Sequence, residues 1–248
     1  LKKCDVVIMA CAPDVSSKWS PLLMDYSKWI IDISNAHRHD AYIPLVVPEI
    51  NGDLLTDYTG IISNPNCSTI QLVKSLFPFQ KLFGLGKVIV STYQSVSGMG
   101  QRGLELFDDE KELSINDSPL SKNFTPFIGS TDEHGYCQEE WKIINESRRI
   151  LDSQELAIIP TTVRVPIKIC HGESVYVETK NPINRLKLEK KISKSPFLTY
   201  CDDPEKLMNT TNNTHVHIGR LRYVDKFTTQ FWSTADNLLV GSAWNAFQ

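Results

Sequence analysis

No apolar run in the 248 residues approaches the roughly 20 that a membrane-spanning helix needs. The opening Leu1-Lys2-Lys3-Cys4-Asp5 leads into a short apolar run that ends at Ala12-Pro13-Asp14, which is not a signal peptide. Positive charge is not in excess: 26 Lys and Arg stand against 29 Asp and Glu, a net charge of −3. Electrostatic attraction to nucleic acid or to an anionic membrane is therefore not expected. The cysteines, at 4, 11, 67, 137, 170 and 201, include no Cys-x-x-Cys pair. Cysteines this sparse read as free thiols in a reducing compartment, the cytoplasm or a reducing organelle lumen, with the cytoplasm taken as the address. His215 and His217 have no cluster of cysteines or carboxylates to complete a metal site, so no metal is expected. Internal repeats and low-complexity tracts are also missing.

What remains is an ordinary globular composition, 41% hydrophobic and 22% charged, long enough for one large domain or two modest ones. Cys4 to Cys11 is β-branched and mostly apolar, and predicts a strand buried on both faces. A helix follows from Pro13 to Tyr26, then a strand over Trp29 to Ile33 that empties into the polar loop Ser34-Asn35-Ala36-His37-Arg38. Leu45 to Val47, closed by Pro48, and Gly60 to Ser63 read as further strands. Strands alternating with helices predict a parallel α/β sheet, whose site lies in loops at the strand C-termini.

Past residue 67 the pattern changes. A helical run from Ile70 to Phe77 is expected to stop at Pro78, followed by a strand from Lys87 to Val96. A helix over roughly 101 to 114, a loop from 115 to 135 and an amphipathic helix from Gln138 to Leu151 come next, the last with Trp141, Ile144 and Ile150 near one face. Glu155 to Pro166, Glu173 to Thr179, Val216 to Arg222 and Thr228 to Ser233 read as strands of a mixed, largely antiparallel sheet. Lys187 to Ile192 and Asn237 to Gln248 read as helices.

The segment Ser63-Asn64-Pro65-Asn66-Cys67-Ser68-Thr69-Ile70-Gln71 joins the two regimes and sets Cys67 at the mouth of a helix. Unpaired N–H groups and the helix dipole there favour thiolate over thiol, and the thiolate is the nucleophile. A buried structural cysteine beside a capping Asn is the alternative on position alone. Gln94 ends a strand beside a Gly-containing turn, Glu139 and Lys142 share one helical turn, and Arg164 and His171 bracket a strand end. A thiol, an imidazole and a set of cations suit acyl transfer on an anionic substrate. Each residue alone has a structural explanation, such as a surface ion pair for Glu139 and Lys142.

The ordered combination of this cysteine loop with Ser91-Thr92-Tyr93-Gln94-Ser95-Val96-Ser97-Gly98, Arg164-Val165-Pro166 and His171-Gly172-Glu173-Ser174 resembles the aspartate-β-semialdehyde dehydrogenase family. Pro44 to Asn51, Gly135 to Lys142 and Gly219 to Arg222 add to a likeness that runs from about Asp5 to Gln248. The resemblance implies a glyceraldehyde-3-phosphate-dehydrogenase-like fold: a truncated Rossmann-type parallel sheet plus an α+β domain. Residues 1–66 with the C-terminal helix 237–248 would be the remainder of the NADP-binding domain, and 67–236 the catalytic and dimerisation domain.

The implied reaction is NADPH-dependent reductive dephosphorylation of aspartyl-4-phosphate to aspartate-4-semialdehyde, in biosynthesis of lysine, threonine and methionine. Cys67 would be the thioacyl-forming nucleophile, His171 the acid/base and Gln94 the residue orienting the intermediate. Arg164 would clamp the substrate carboxylate and Glu139 receive its ammonium. Lys142, Arg38 and Asn66 would hold phosphate, with Ser97, Gly98 and Asn237 at the NADP. A homodimer or a dimer of dimers is implied.

The family's opening strand and Gly-rich turn are expected upstream of Leu1. Ala10-Cys11-Ala12-Pro13-Asp14 lacks the usual Gly-Gly, and His37 replaces an aromatic. Two other readings remain open at this point. One is a non-catalytic homologue with a structural or interaction role. The other is the related acyl-phosphate reductase of arginine synthesis, whose cysteine loop usually reads Asn-Pro-Gly-Cys.

Overall fold

A computed structural model describes residues 2–108, 114–115, 118–119, 123–208 and 210–248. The chain begins with β1 (Cys4–Met9), α1 (Pro13–Leu23) and β2 (Ser27–Asp32), then the short α2 (Pro48–Asn51) and β3 (Gly60–Ser63). These strands form a parallel sheet in the order β1-β2-β3. β1 is not buried on both faces. It is an edge strand, with Val6 and Ile8 among its exposed residues, and the small core of this unit is Met9, Ile30 and Ile61. Leu45 to Val47 contributes one parallel bridge, Leu45 to Ser63, and Pro48 opens α2 rather than closing a strand.

α3 (Cys67–Phe83) follows, with Asn66 as its N-cap: Oδ1 accepts from the N–H groups of Ser68 and Thr69. Such a cap contributes about 1 kcal/mol. The helix does not stop at Pro78 but runs on to Gly84, whose φ of 68° ends it. A proline inside a helix costs roughly 3 kcal/mol, and burial of the turn it sits in offsets that cost. Phe79 is fully buried and stacks on Phe231 at 5.5 Å between centroids.

The remaining elements are β4 (Leu85–Gln94), α4 (Gln101–Asp108), the short pair β5 (Ser114–Ile115) and β6 (Ser118–Pro119), α5 (Gln138–Ile150), β7 (Ala157–Arg164), β8 (His171–Thr179), α6 (Arg185–Ser193), β9 (Leu198–Cys201), β10 (Val216–Tyr223) and β11 (Thr228–Ala235). The expected tail of α4 at 109–113, and the loop positions 116–117 and 120–122, lie outside the described residues. A six-stranded sheet runs β7-β4-β8-β11-β10-β9. It is parallel at its two ends and antiparallel between, as the mixed pattern predicts. β9 was not legible in the sequence.

One sheet face packs on α3, α5 and α6 through Val88, Val90, Val175, Val177 and Phe231. Alternate residues on the other face, Ile89, Tyr93 and Ile159, stay exposed. On α5, Trp141 is exposed and its indole N–H bonds Asp132, while Glu139, Glu140 and Glu146 are buried with Ile143, Ile144 and Ile150. The expected apolar face is thus a mixed one, because these carboxylates find partners inside. After β11 the chain makes a π-helical turn (Leu239–Ala243) and a short α7 (Trp244–Phe247) in place of one continuous helix. Asn245 donates to Val46 O and Asn64 Oδ1, which ties this end to the loops of the parallel sheet.

Candidate active site

Register brings the chemistry together. Gln94 and Arg164 are paired at the C-terminal ends of the parallel neighbours β4 and β7. β8 runs the opposite way beside β4, so its first residue, His171, starts at the same end of the sheet. β11 also ends there, with Ala235 opposite His171 and Asn237 just beyond. α3 lies on this sheet with its N-terminus at that end, and the C-terminal ends of β1 and β2 approach from the other unit. The cleft between them has a volume of about 490 Å³. It is lined by every sequence-predicted site residue except His171: Arg38, Asn66, Cys67, Gln94, Ser97, Gly98, Glu139, Lys142, Arg164 and Asn237. His171 is fully buried behind it, and its Nε2 lies 3.3 Å from Cys67 Sγ.

Although Cys67 faces the cleft, protein atoms crowd its sulfur. Burial, reinforced by Glu139, pushes the thiol up to about 11, against the opposing pull of Arg164, Arg38 and the Ser68 N–H. Desolvation therefore works against the thiolate expected from a helix N-terminus and outweighs the dipole. Burial and Arg164 also push His171 down to about 3. Both shifts favour a neutral thiol beside a neutral imidazole.

The charged walls are interlocked. Arg164 Nη1 donates to Ser95 O at 2.6 Å. Burial lowers its pKa, and Glu139 and Cys67 oppose that. Glu139 accepts from Lys142 Nζ at 3.1 Å and from Asn66 Nδ2 at 2.8 Å. Burial acts to raise Glu139, but Lys142, Asn66 and Arg164 together hold it below the ordinary carboxylate value. Three of the five N–H donors of Arg38 are committed: to Ser34 O, Ile33 O and Glu146 Oε1, the last at 3.2 Å. Gln94 Nε2 donates to Thr92 Oγ1.

Two contributors escaped the sequence reading. Glu146 is buried and takes both Arg38 and the Asn66 backbone N–H, the latter at 2.6 Å. Its spacing from Glu139 and Lys142, seven and four residues on one helix face, was the available signal. Gly241 is the other. A Cβ there would lie 2.5 Å from Cys67 Cβ, so only glycine lets the C-terminal turn close over the cysteine.

Gly98 leaves bare backbone where a Cβ would meet Arg164 Nη1 at 2.7 Å, and it lines the cleft with Ser97 and Asn237. Cys11, Pro13, Ser34 and Asn35 line the cleft beyond, at the strand ends where parallel sheets bind nucleotides. Among the described residues, no group of three or more His, Cys, Asp or Glu could hold a metal ion, and no helix is long and apolar enough to cross a membrane.

A parallel α/β unit joined to a mixed sheet, with a cysteine and a histidine in contact at the junction, is the glyceraldehyde-3-phosphate-dehydrogenase-like fold, and the relatives it matches are oxidoreductases. The chain belongs to the semialdehyde dehydrogenase family: the dimerisation domain of that family matches residues 76–240, and its NAD binding domain matches residues 1–58. The aspartate-semialdehyde dehydrogenase of Bacillus subtilis is 34% identical over 98% of this chain and 78% of its own length. That of Prochlorococcus marinus is also 34% identical, over 98% and 76%. The crystal structure of aspartate semialdehyde dehydrogenase II from Vibrio cholerae, complexed with ASA, superposes with a TM-score of 0.93 at 30% identity, covering 98% of this chain and 77% of that one.

Proposed function

We propose that this chain is an NADP-dependent aspartate-semialdehyde dehydrogenase, acting through a thioacyl intermediate on Cys67 in biosynthesis of lysine, threonine and methionine. The contact of Cys67 Sγ with His171 Nε2 at 3.3 Å, in a cleft walled by Arg38, Lys142, Arg164 and Glu139, carries this reading. The substrate, aspartyl-4-phosphate, has a carboxylate, an ammonium and a phosphate. The planar fork of Arg164 suits the carboxylate, and Glu139 suits the ammonium. Lys142 and Arg38 suit the phosphate, whose departing charge they balance as the thiolate attacks the acyl carbon. Asn66 holds both the helix start and Glu139, and so fixes the distance between sulfur and the ammonium site. Gln94 would orient the thioacyl group, and His171 would move protons at sulfur and at the acyl oxygen. When bound, the nicotinamide would supply hydride to the thioacyl carbon, held by Ser97, Gly98 and Asn237.

The exposed residues Ile89, Tyr93 and Ile159 on the open sheet face suit burial against a second copy, in line with the family's dimerisation domain. In the oxidative direction, purified full-length protein, with the Gly-rich turn expected upstream of Leu1, is expected to reduce NADP in the presence of aspartate semialdehyde and inorganic phosphate, faster than NAD, and to sediment as a dimer or a dimer of dimers. Nucleotide reduction that does not depend on phosphate would remove the acyl-phosphate reaction. Arg164→Lys replaces a two-donor fork with one point charge. It is expected to raise KM for the semialdehyde by ~10-fold or more, with a smaller change in kcat. An unchanged KM would take Arg164 out of the carboxylate site.

A further inference from the structure

Ser95 sets two hydrogen-bonding groups against one nitrogen of His171. Its backbone N–H donates to Nδ1 at 3.1 Å, and its Oγ lies 3.2 Å from the same Nδ1. On its far side Oγ lies 3.1 Å from Asn237 Oδ1 and 2.8 Å from Ser97 Oγ. Asn237 is itself fixed: Oδ1 accepts from Ser97 Oγ and from the Cys170 N–H, and Nδ2 donates to Ser97 Oγ. All of these side chains are buried.

A backbone N–H can only donate. With Ser95 N–H on Nδ1, that nitrogen presents its lone pair, and the one proton of the neutral ring sits on Nε2, facing Cys67 Sγ. In this tautomer His171 donates to sulfur and cannot take the thiol proton. A second arrangement opens through the hydroxyl when the ring turns off the Ser95 N–H: Nδ1–H then donates to Ser95 Oγ, Ser95 O–H donates to Asn237 Oδ1, and the Nε2 lone pair faces sulfur. We propose that Ser95, seated on Asn237, is a positioning residue that selects the tautomer of His171 and so decides whether it can act as a base toward Cys67. This rests on Cys67 as nucleophile and His171 as its acid/base. In the step so enabled the S–H bond breaks and the Nε2–H bond forms. The ring becomes an imidazolium whose Nδ1–H stays on Ser95 Oγ, and no other atom leaves. Among the described residues, the charged and titratable groups around His171 include Cys67 on α3, Arg164 at the end of β7, Glu139 on α5 and Glu173 two residues along β8, with Cys170 beside it in the chain and Glu205 and Arg220 lining the pocket on its other side. Arg164 opposes the imidazolium and Glu139 favours it.

The test reads Cys67 itself: its alkylation by iodoacetamide, followed by peptide mapping, across about pH 5 to 10, where displacement of the rising limb along the pH axis reports the shift of a midpoint at about 11. Ser95→Ala keeps the N–H but removes the hydroxyl, which locks the ring as a donor. It is expected to raise the midpoint of the profile by about one unit, slowing alkylation at neutral pH ~10-fold. Asn237→Asp keeps the shape but offers an anionic acceptor behind Ser95, and is expected to lower the midpoint. General damage to the site would move both variants the same way, so opposite shifts support the relay. A Ser95→Ala profile that overlays the wild type, or two shifts of the same sign, overturns it. If Ser95→Ala does not fold, Asn237→Asp decides alone: a lowered midpoint supports the proposal and an unmoved one overturns it. Turnover of a Cys67 variant tests the nucleophile assignment separately, because the alkylation profile does not depend on catalysis.

Discussion

Replacing Cys67 by alanine is expected to lower turnover by ~10⁴-fold or more, because a covalent route is lost and not merely weakened. The effect should fall on kcat. Arg164, Glu139, Lys142 and Arg38 would still line the cleft, so substrate binding should persist. The fold should also persist. Removing one sulfur beside Gly241 leaves a small void, costing on the order of 1 kcal/mol. Cys67→Ser is expected to be almost as inactive. A buried hydroxyl is far harder to ionise than the thiol, which burial already pushes up to about 11. Steady-state rates and melting curves on the two variants check this. A Cys67→Ala protein with more than about 1% of wild-type turnover would remove the thioacyl mechanism.

The second large effect starts behind the cleft wall, at Glu146. Glu146 is 1% exposed and Arg38 9%, and they meet at 3.2 Å. Burial raises the carboxyl, against the pull of Arg38 and of the Asn66 N–H. Breaking a buried pair from one side leaves a charge without a partner, at a cost of about 3–5 kcal/mol. Glu146→Ala is therefore expected to lower Tm by on the order of 10 °C in a chain of this size. It should also cut activity, because Arg38 and the Asn66 peptide both lose an anchor next to Cys67. Glu146→Gln keeps the shape and one acceptor and should fall between. Calorimetry checks the order; a Glu146→Ala melt within about 2 °C of wild type would show that the ion pair does not hold the site together.

The catalytic vocabulary was legible because it is local. A capping Asn before Cys67, a Glu and a Lys one helical turn apart, and strand ends at Gln94 and Arg164 are set by spacing along the chain. Element types were legible for the same reason, since periodicity reports which face is apolar. Three readings failed where long-range packing prevailed. Pro78 did not end α3, because Phe79 and its neighbours are buried against the sheet. β1 was not doubly covered, because its place at the edge of its sheet is a matter of topology. The pull of the helix start toward thiolate is outweighed, because desolvation depends on what crowds the sulfur from elsewhere.

Sequence alone thus determined which groups are present, which elements carry them, and through the ordered motifs which family they resemble. It could not say that His171 reaches Cys67 across 104 positions. Nor could it say that Glu146 fastens Arg38, or that Ser95 and Asn237 meet behind the imidazole. Those are distances between elements, fixed by strand register and by the packing of α3 on the six-stranded sheet. Burial, protonation state and tautomer follow from them, since each depends on the whole set of atoms around a group and not on its neighbours in the chain.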